Sequence, residues 1–235
     1  MSDVNEDGPA LICIPDITGF TRFMVEANLE FSRKIIPPLL RNLVTSNILN
    51  LKVGEVEGDA ILFYRFGALP SIKELSEQCR KFYVEFLCQL EALKKEFPDD
   101  FAKYISTNKL TLKIILHAAE MTLTNIEGKT KLIGEDVVVV HKLLKNTVKE
   151  PEYILLTEKL LSNYTEAEIT EAFNWSALEK SQDEYEFIGS VNYWHIALDP
   201  KMTEISEEEK EPAKKKSPSG VESETKGNKD SDSNN

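Results

Sequence analysis

The sequence predicts an α+β fold, a mostly antiparallel sheet with helices packed on one of its faces. Three observations predict it. Residues 9–15 form a short apolar run suited to a central strand. Two strand-like runs, 51–57 and 60–66, are separated by Gly58-Asp59, a strong hairpin signal. Residues 71–97 follow with a long helical period, and the order strand, helix, hairpin, helix, strand is that of a split βαβ unit.

Taken in order, residues 29–48 read as a helix that Pro37-Pro38 should kink or break. In the helix over 71–97, Leu75, Phe82, Phe86, Leu90 and Leu93 recur at helical spacing, with Ser71 as N-cap and Glu74 completing a capping box. Leu110–Ala118 reads as a strand, and Met121–Thr124 and Lys131–Ile133 continue it across a Glu127-Gly128 turn. Val137–Leu144 is ambiguous. Its valines prefer a strand, while His141 to Asn146 end like a helix. Tyr153–Leu156, Tyr185–Ile188 and Tyr193–Ala197 add short strands.

Composition bounds the function. Of 235 residues 41% are apolar, enough for one buried domain, and the longest apolar runs are too short for a membrane span. The formal charge of −12 repels phosphate backbones, so no nucleic-acid partner is expected. The first residues lack the basic and apolar regions of a secretory signal, and a cytoplasmic protein is expected. Cys13, Cys79 and Cys88 show no ligand spacing and read as buried, reduced thiols. Three segments are expected: a flexible N-terminus over 1–8, one domain over 9–200, and a disordered charged tail over 201–235 that has no aromatic residue.

Two aspartates stand out. Asp16 directly follows the first strand, in Asp16-Ile17-Thr18-Gly19-Phe20-Thr21, and Asp59 sits at the hairpin tip. A split βαβ arrangement lets both carboxylates meet at one end of the sheet, where with a backbone carbonyl they make a hard oxygen site for Mg²⁺ or Mn²⁺. The same residues also suit a helix cap and a turn. His117, His141 and His195 are scattered and share no metal spacing.

The segment 16–21 resembles the opening metal motif of class III adenylate and guanylate cyclases, and Gly58-Asp59-Ala60 resembles their second metal motif. Ile114-Ile115-Leu116-His117-Ala118, Leu132-Ile133-Gly134 leading into 137–143, and Tyr153–Thr157 match later segments in order, so that the likeness spans 9 to about 162. The resemblance implies the ferredoxin-like (split βαβ) nucleotide-cyclase fold. It implies that Asp16 and Asp59 ligate two metal ions with help from the Ile17 carbonyl, and that Ile17, Thr18, Gly19, Phe20 and Thr21 line the cofactor side of the site. The chemistry so served is attack of a ribose 3′-hydroxyl on an α-phosphate.

The other half of the family's catalytic set departs. Its Asn and Arg fall on Val138 and Lys142, and its base-selecting Lys and Asp fall on Val53 and Lys131. Valine offers no hydrogen bond, and Lys142, the candidate for the Arg's role, lacks the planar fork. It also reads as a solvated helix lysine. The implied protein is a degenerate cyclase-like domain that binds divalent metal and a nucleoside triphosphate, with little or no cyclase activity. It would pair as a homodimer, or as a heterodimer with a cyclase-like chain. An active cyclase with unusual substrate contacts, or the metal-bearing half of a heterodimer, are the alternatives.

Overall fold

Strand β1 (Glu6–Thr18) runs through the middle of the molecule, and eight of its residues from Ala10 on are buried. The computed structural model describes residues 6–106 and 109–198. Thus β1 begins earlier than the run at 9–15 indicates, inside the stretch expected to be flexible. The rest of that stretch and the tail lie outside the described residues.

After β1 come helices α1 (Phe20–Glu26) and α2 (Leu29–Thr45). Strands β2 (Lys52–Glu57) and β3 (Ala60–Phe66) form the predicted hairpin, with Gly58 at φ 61° in its turn. Helix α3 (Ile72–Glu96) carries the predicted Ser71/Glu74 capping box, and α4 (Pro98–Tyr104) follows it. Strands β4 (Thr111–Ile126) and β5 (Lys129–Ile133) lead to α5 (Glu135–Leu143), β6 (Tyr153–Thr157), α6 (Glu158–Leu161) and α7 (Glu166–Ala172). The last hairpin is β7 (Glu179–Tyr185) with β8 (Gly189–Ala197).

The sheet order is β2-β3-β1-β4-β6-β8-β7, with β5 paired to β4. Among the described residues, only the β4–β6 pairing is parallel. This is the mostly antiparallel α+β architecture expected. Leu11, Cys13 and Leu116 face one core with α2, α3 and α4, while Ile12, Ile14 and Ile115 face a second core under Val137, Val140 and Leu143 of α5. So one helix packs on the face opposite the others, where helices on a single face were expected.

Four local expectations change. Helix α2 continues through Pro37 and Pro38. Both prolines and the carbonyls they deprive, those of Arg33 and Lys34, lie on its wetter side, while Ile35, Ile36 and Leu39 hold the other side in the core. The valine-rich segment is helical, because a helix puts Val137, Val140 and Leu143 on one buried face and leaves Val138 exposed. A Cβ at Gly134, just before it, would lie 2.8 Å from the Glu120 carbonyl oxygen, so only glycine lets the chain cross β4 there. The span Tyr185–Ile188 is a hairpin end rather than a strand, with Phe187 at φ 68° in the turn, and β7 precedes it. Finally Cys13 and Cys79 are buried as expected, but Cys88 is exposed, since its turn of α3 faces water.

Candidate cation site at the β1 and β2–β3 edge

Asp16 is the third residue from the end of β1 and is only 7% exposed. Its cross-strand partner is Ala60, and the Ile17 N–H donates to the Asp59 carbonyl oxygen at 3.1 Å. These two backbone links bring the hairpin tip against the strand end, so the predicted pair of carboxyl groups does converge. Burial, and next the charge of Asp16, push the Asp59 carboxyl up to about 6, and a hydrogen bond to Asp16 adds to the rise.

Lys113 on β4, absent from the sequence reasoning, partly offsets this repulsion. Its Nζ is 3.1 Å from Asp16 Oδ2 and donates to the Leu144 carbonyl oxygen at 2.7 Å, beside the C-terminal end of α5. Register places Lys113 opposite both Asp16 and Tyr153. The signal was present in the sequence: one lysine interrupts the apolar run Leu110–Ala118. A charge in a central strand requires a partner.

One lysine against two ionised carboxylates leaves excess negative charge in a half-buried site. The side chain of Thr18 falls on the same face of β1 as Asp16, and its Oγ1 is buried without a hydrogen-bond partner. Two carboxylates and an unmatched hydroxyl are a donor set that suits a hard divalent cation such as Mg²⁺ or Mn²⁺. Along the rest of the motif, the Ile17 side chain is in the core, Gly19 takes φ 88° before α1, Phe20 lies near Gly58, and Thr21 is exposed.

The carried-over partner half divides differently. Val53 and Lys131 lie together in a groove between β2 and β5, where Lys131 pairs with Glu55. Val138 is 49% exposed on α5, and Lys142 is exposed one turn on. Helix α5 touches the hairpin through His141, whose Nδ1 is 3.8 Å from Glu57 Oε2.

Two further polar clusters escaped the sequence. Buried His117 on β4 holds Thr157 Oγ1 at 2.8 Å through Nδ1 and Asp136 Oδ1 at 2.9 Å through Nε2. Asp136 Oδ2 also accepts from the Glu120 N–H and from Lys159 Nζ, each at 2.6 Å. Burial works to raise the Asp136 carboxyl, but these donors together hold it well below the usual carboxylate range. Thr157 is at the same time the N-cap of α6. The cluster is therefore a satisfied structural network. The other cluster joins His195 on β8 with Glu179 on β7 and Glu150 in the loop before β6.

Comparison with known proteins agrees with the fold. Residues 36–153 match the family described as Protein of unknown function (DUF2652), a span that includes Asp59 and Lys113 but not Asp16. A curated relative, the Uncharacterized protein Rv2561/Rv2562 of Mycobacterium tuberculosis, is 29% identical over 108 residues, 46% of this chain and 50% of that protein. The matched stretch thus spans about half the length of that relative. Among solved structures, the guanylyl cyclase Cya2 superposes with a TM-score of 0.56 at 18% identity, covering 85% of this chain and 97% of that one. The adenylyl cyclase CyaB from P. aeruginosa gives 0.54 at 12% identity, with coverages of 83% and 97%. The catalytic core of a rhodopsin-guanylyl cyclase with converted specificity, in complex with ATPalphaS, gives 0.56 at 13%, with 83% and 99% covered. Identities this low speak for the fold alone. The chain belongs to the DUF2652 family, and its fold is that of the class III adenylyl and guanylyl cyclase domains.

Proposed function

We propose that this protein is a degenerate cyclase-like domain that binds a divalent cation, Mg²⁺ or Mn²⁺, between Asp16 and Asp59, and a nucleoside triphosphate through it. The observation that carries the reading is the convergence of two carboxyl groups on one sheet edge, with Lys113 as their shared counter-charge and the Asp59 carboxyl pushed up to about 6. A bound divalent ion supplies charge neutralisation for a triphosphate. The chain's own part is to present two carboxylates, to let Lys113 leave Asp16 for an incoming anion, and to seat the ligand over Thr18 and Gly19.

Efficient cyclisation is not part of this reading. Val138 offers no hydrogen bond, exposed Lys142 is the candidate for positive charge on α5, and Lys131 is engaged by Glu55. Loss of one charge-stabilising donor alone commonly costs ~10²–10³ in rate. The role is regulation or interaction.

Val53, Val56, Ile126, Ile133 and Val138 are exposed apolar side chains, and the first three line the groove between β2 and β5; a second copy of this chain is its proposed occupant. Sedimentation of the pure protein, with Val56→Glu and Ile133→Glu as disrupting variants, tests that pairing. A monomeric pure protein would point to a heterodimer instead.

Titration calorimetry with Mn²⁺, with and without each nucleoside triphosphate, tests the cation site. The expected result is metal binding that Asp59→Ala removes and nucleotide binding that requires metal. Absence of metal binding ends the proposal. Cyclic nucleotide formed with Mn²⁺ and abolished by Asp59→Ala would instead make the protein an active cyclase.

A further inference from the structure

We infer a second metal site, of the zinc type, formed by His195, Glu150 and Glu179 at the opposite side of the sheet. His195 is 6% exposed on β8 and lies directly across from Glu179 on the edge strand β7. Its Nε2 is 3.3 Å from Glu150 Oε2 and 3.8 Å from Glu179 Oε2, and the three ligand atoms all lie within 4.8 Å of one another.

The two distances from His195 are near the edge of a ligand tetrahedron. Nitrogen and oxygen donors bound to Zn²⁺ at about 2.1 Å stand roughly 3.4 Å apart when the coordination is tetrahedral. An imidazole with two carboxylates is a donor set for Zn²⁺ or a neighbouring transition metal rather than for Mg²⁺, and its two negative charges neutralise a divalent ion.

The surroundings favour a metal over a simple ion pair. The Ser181 hydroxyl lies 3.5 Å from His195 Nδ1, and the Tyr153 ring meets the imidazole edge-on at 6.3 Å. An Nδ1–H directed at Ser181 leaves the Nε2 lone pair facing two carboxylates, an arrangement that a cation can bridge. A protonated imidazole has one Nε2–H, which satisfies one carboxylate and leaves the other to solvent, whereas a metal ion would hold both.

The site would act as a clasp. Glu150 belongs to the loop between α5 and β6, and Asp183 on β7 already accepts from the backbone N–H of Thr147 in that loop at 3.1 Å. An ion shared by Glu150, Glu179 and His195 fastens the same loop to the edge hairpin a second time. Occupancy thereby sets how firmly α5, with Val138 and Lys142, is anchored at its C-terminal end.

The site stands independently of the Asp16/Asp59 reading, and its test separates the two. Co²⁺ is added to the chelator-treated full-length chain carrying Asp16→Asn and Asp59→Asn. The visible absorption of tetrahedral Co²⁺ should appear, saturate at a single equivalent, and vanish when Zn²⁺ is added. Adding His195→Ala should abolish the signal. Adding Glu179→Gln, at an exposed side chain, should weaken binding by at least about tenfold. If the double variant does not fold, the natural chain compared with Glu179→Gln gives the same answer. A missing or octahedral spectrum, or equal affinity with and without Glu179→Gln, overturns the site.

Discussion

Asp136 and Asp59 are both carboxyl groups drawn out of water at the same sheet, yet their surroundings act on them in opposite directions. Asp136 receives an imidazole nitrogen, a backbone N–H and an ammonium, and is held well below the usual carboxylate range. Asp59 faces another carboxylate with a share in one lysine, and is pushed up to about 6. The first is an arrangement that stabilises the fold. The second leaves negative charge unmatched, the charge that the proposed cation would neutralise. Burial alone does not mark a functional carboxylate; what marks it is whether its neighbours complete it.

The comparison can be broken most directly at its structural end. Asp136→Ala leaves buried His117 without its carboxylate partner and should lower stability by about 3 kcal/mol in urea unfolding. The same carboxyl has a sign to check. Its folded value is depressed, so its stabilisation is present above about pH 4 and is lost as the pH falls. Substituting the partner lysine comes next. Lys113→Met leaves Asp16 buried without a counter-charge and should cost about 2 kcal/mol in metal-free buffer. Added Mn²⁺ should restore more stability to this variant than to the natural chain, because the ion no longer competes with an ammonium.

A smaller effect should have the opposite sign. Asp59→Asn removes the repulsion and should stabilise the metal-free protein at pH 7 by on the order of 1 kcal/mol, once screening of a half-exposed group is allowed for. Because the folded value is raised, the contribution of Asp59 is fully present below about pH 4 and is lost as the pH rises through about 6. The asparagine variant should not show that loss. Mn²⁺ requires the ionised pair, so its affinity for the natural chain should climb as the pH rises through about 6. A flat profile in calorimetry would place metal binding elsewhere.

Much of the fold was legible because it is written in local period and turn chemistry. The Gly58-Asp59 hairpin, the Ser71/Glu74 cap and the periodic face of α3 each need only neighbouring residues to be read. Strand β7, with the sequence Glu-Lys-Ser-Gln-Asp-Glu-Tyr, was missed because an edge strand has only one neighbour and little apolar burial to show. Helix α2 was expected to kink or break at its prolines, since sequence cannot say that their side of the helix faces water, and it runs on without a break. Asp16 and Asp59 were legible as a pair from the split βαβ order, and the resemblance added weight to it, whereas their convergence is a matter of register between β1 and β3.

By itself, then, the sequence determined the alternation of elements, the acidic character of the chain and the two aspartates placed at a strand end and a hairpin tip. Tertiary structure alone decided which charges meet. Lys113 comes to Asp16 from a strand nearly a hundred residues later, His117 finds Asp136 across the β4–α5 crossing, and His195 gathers glutamates from two other segments. The physical reason is that helix and turn preferences act over a few residues along the chain. Electrostatic and coordination chemistry act over a few ångströms in space, and only the folded sheet converts one kind of neighbourhood into the other.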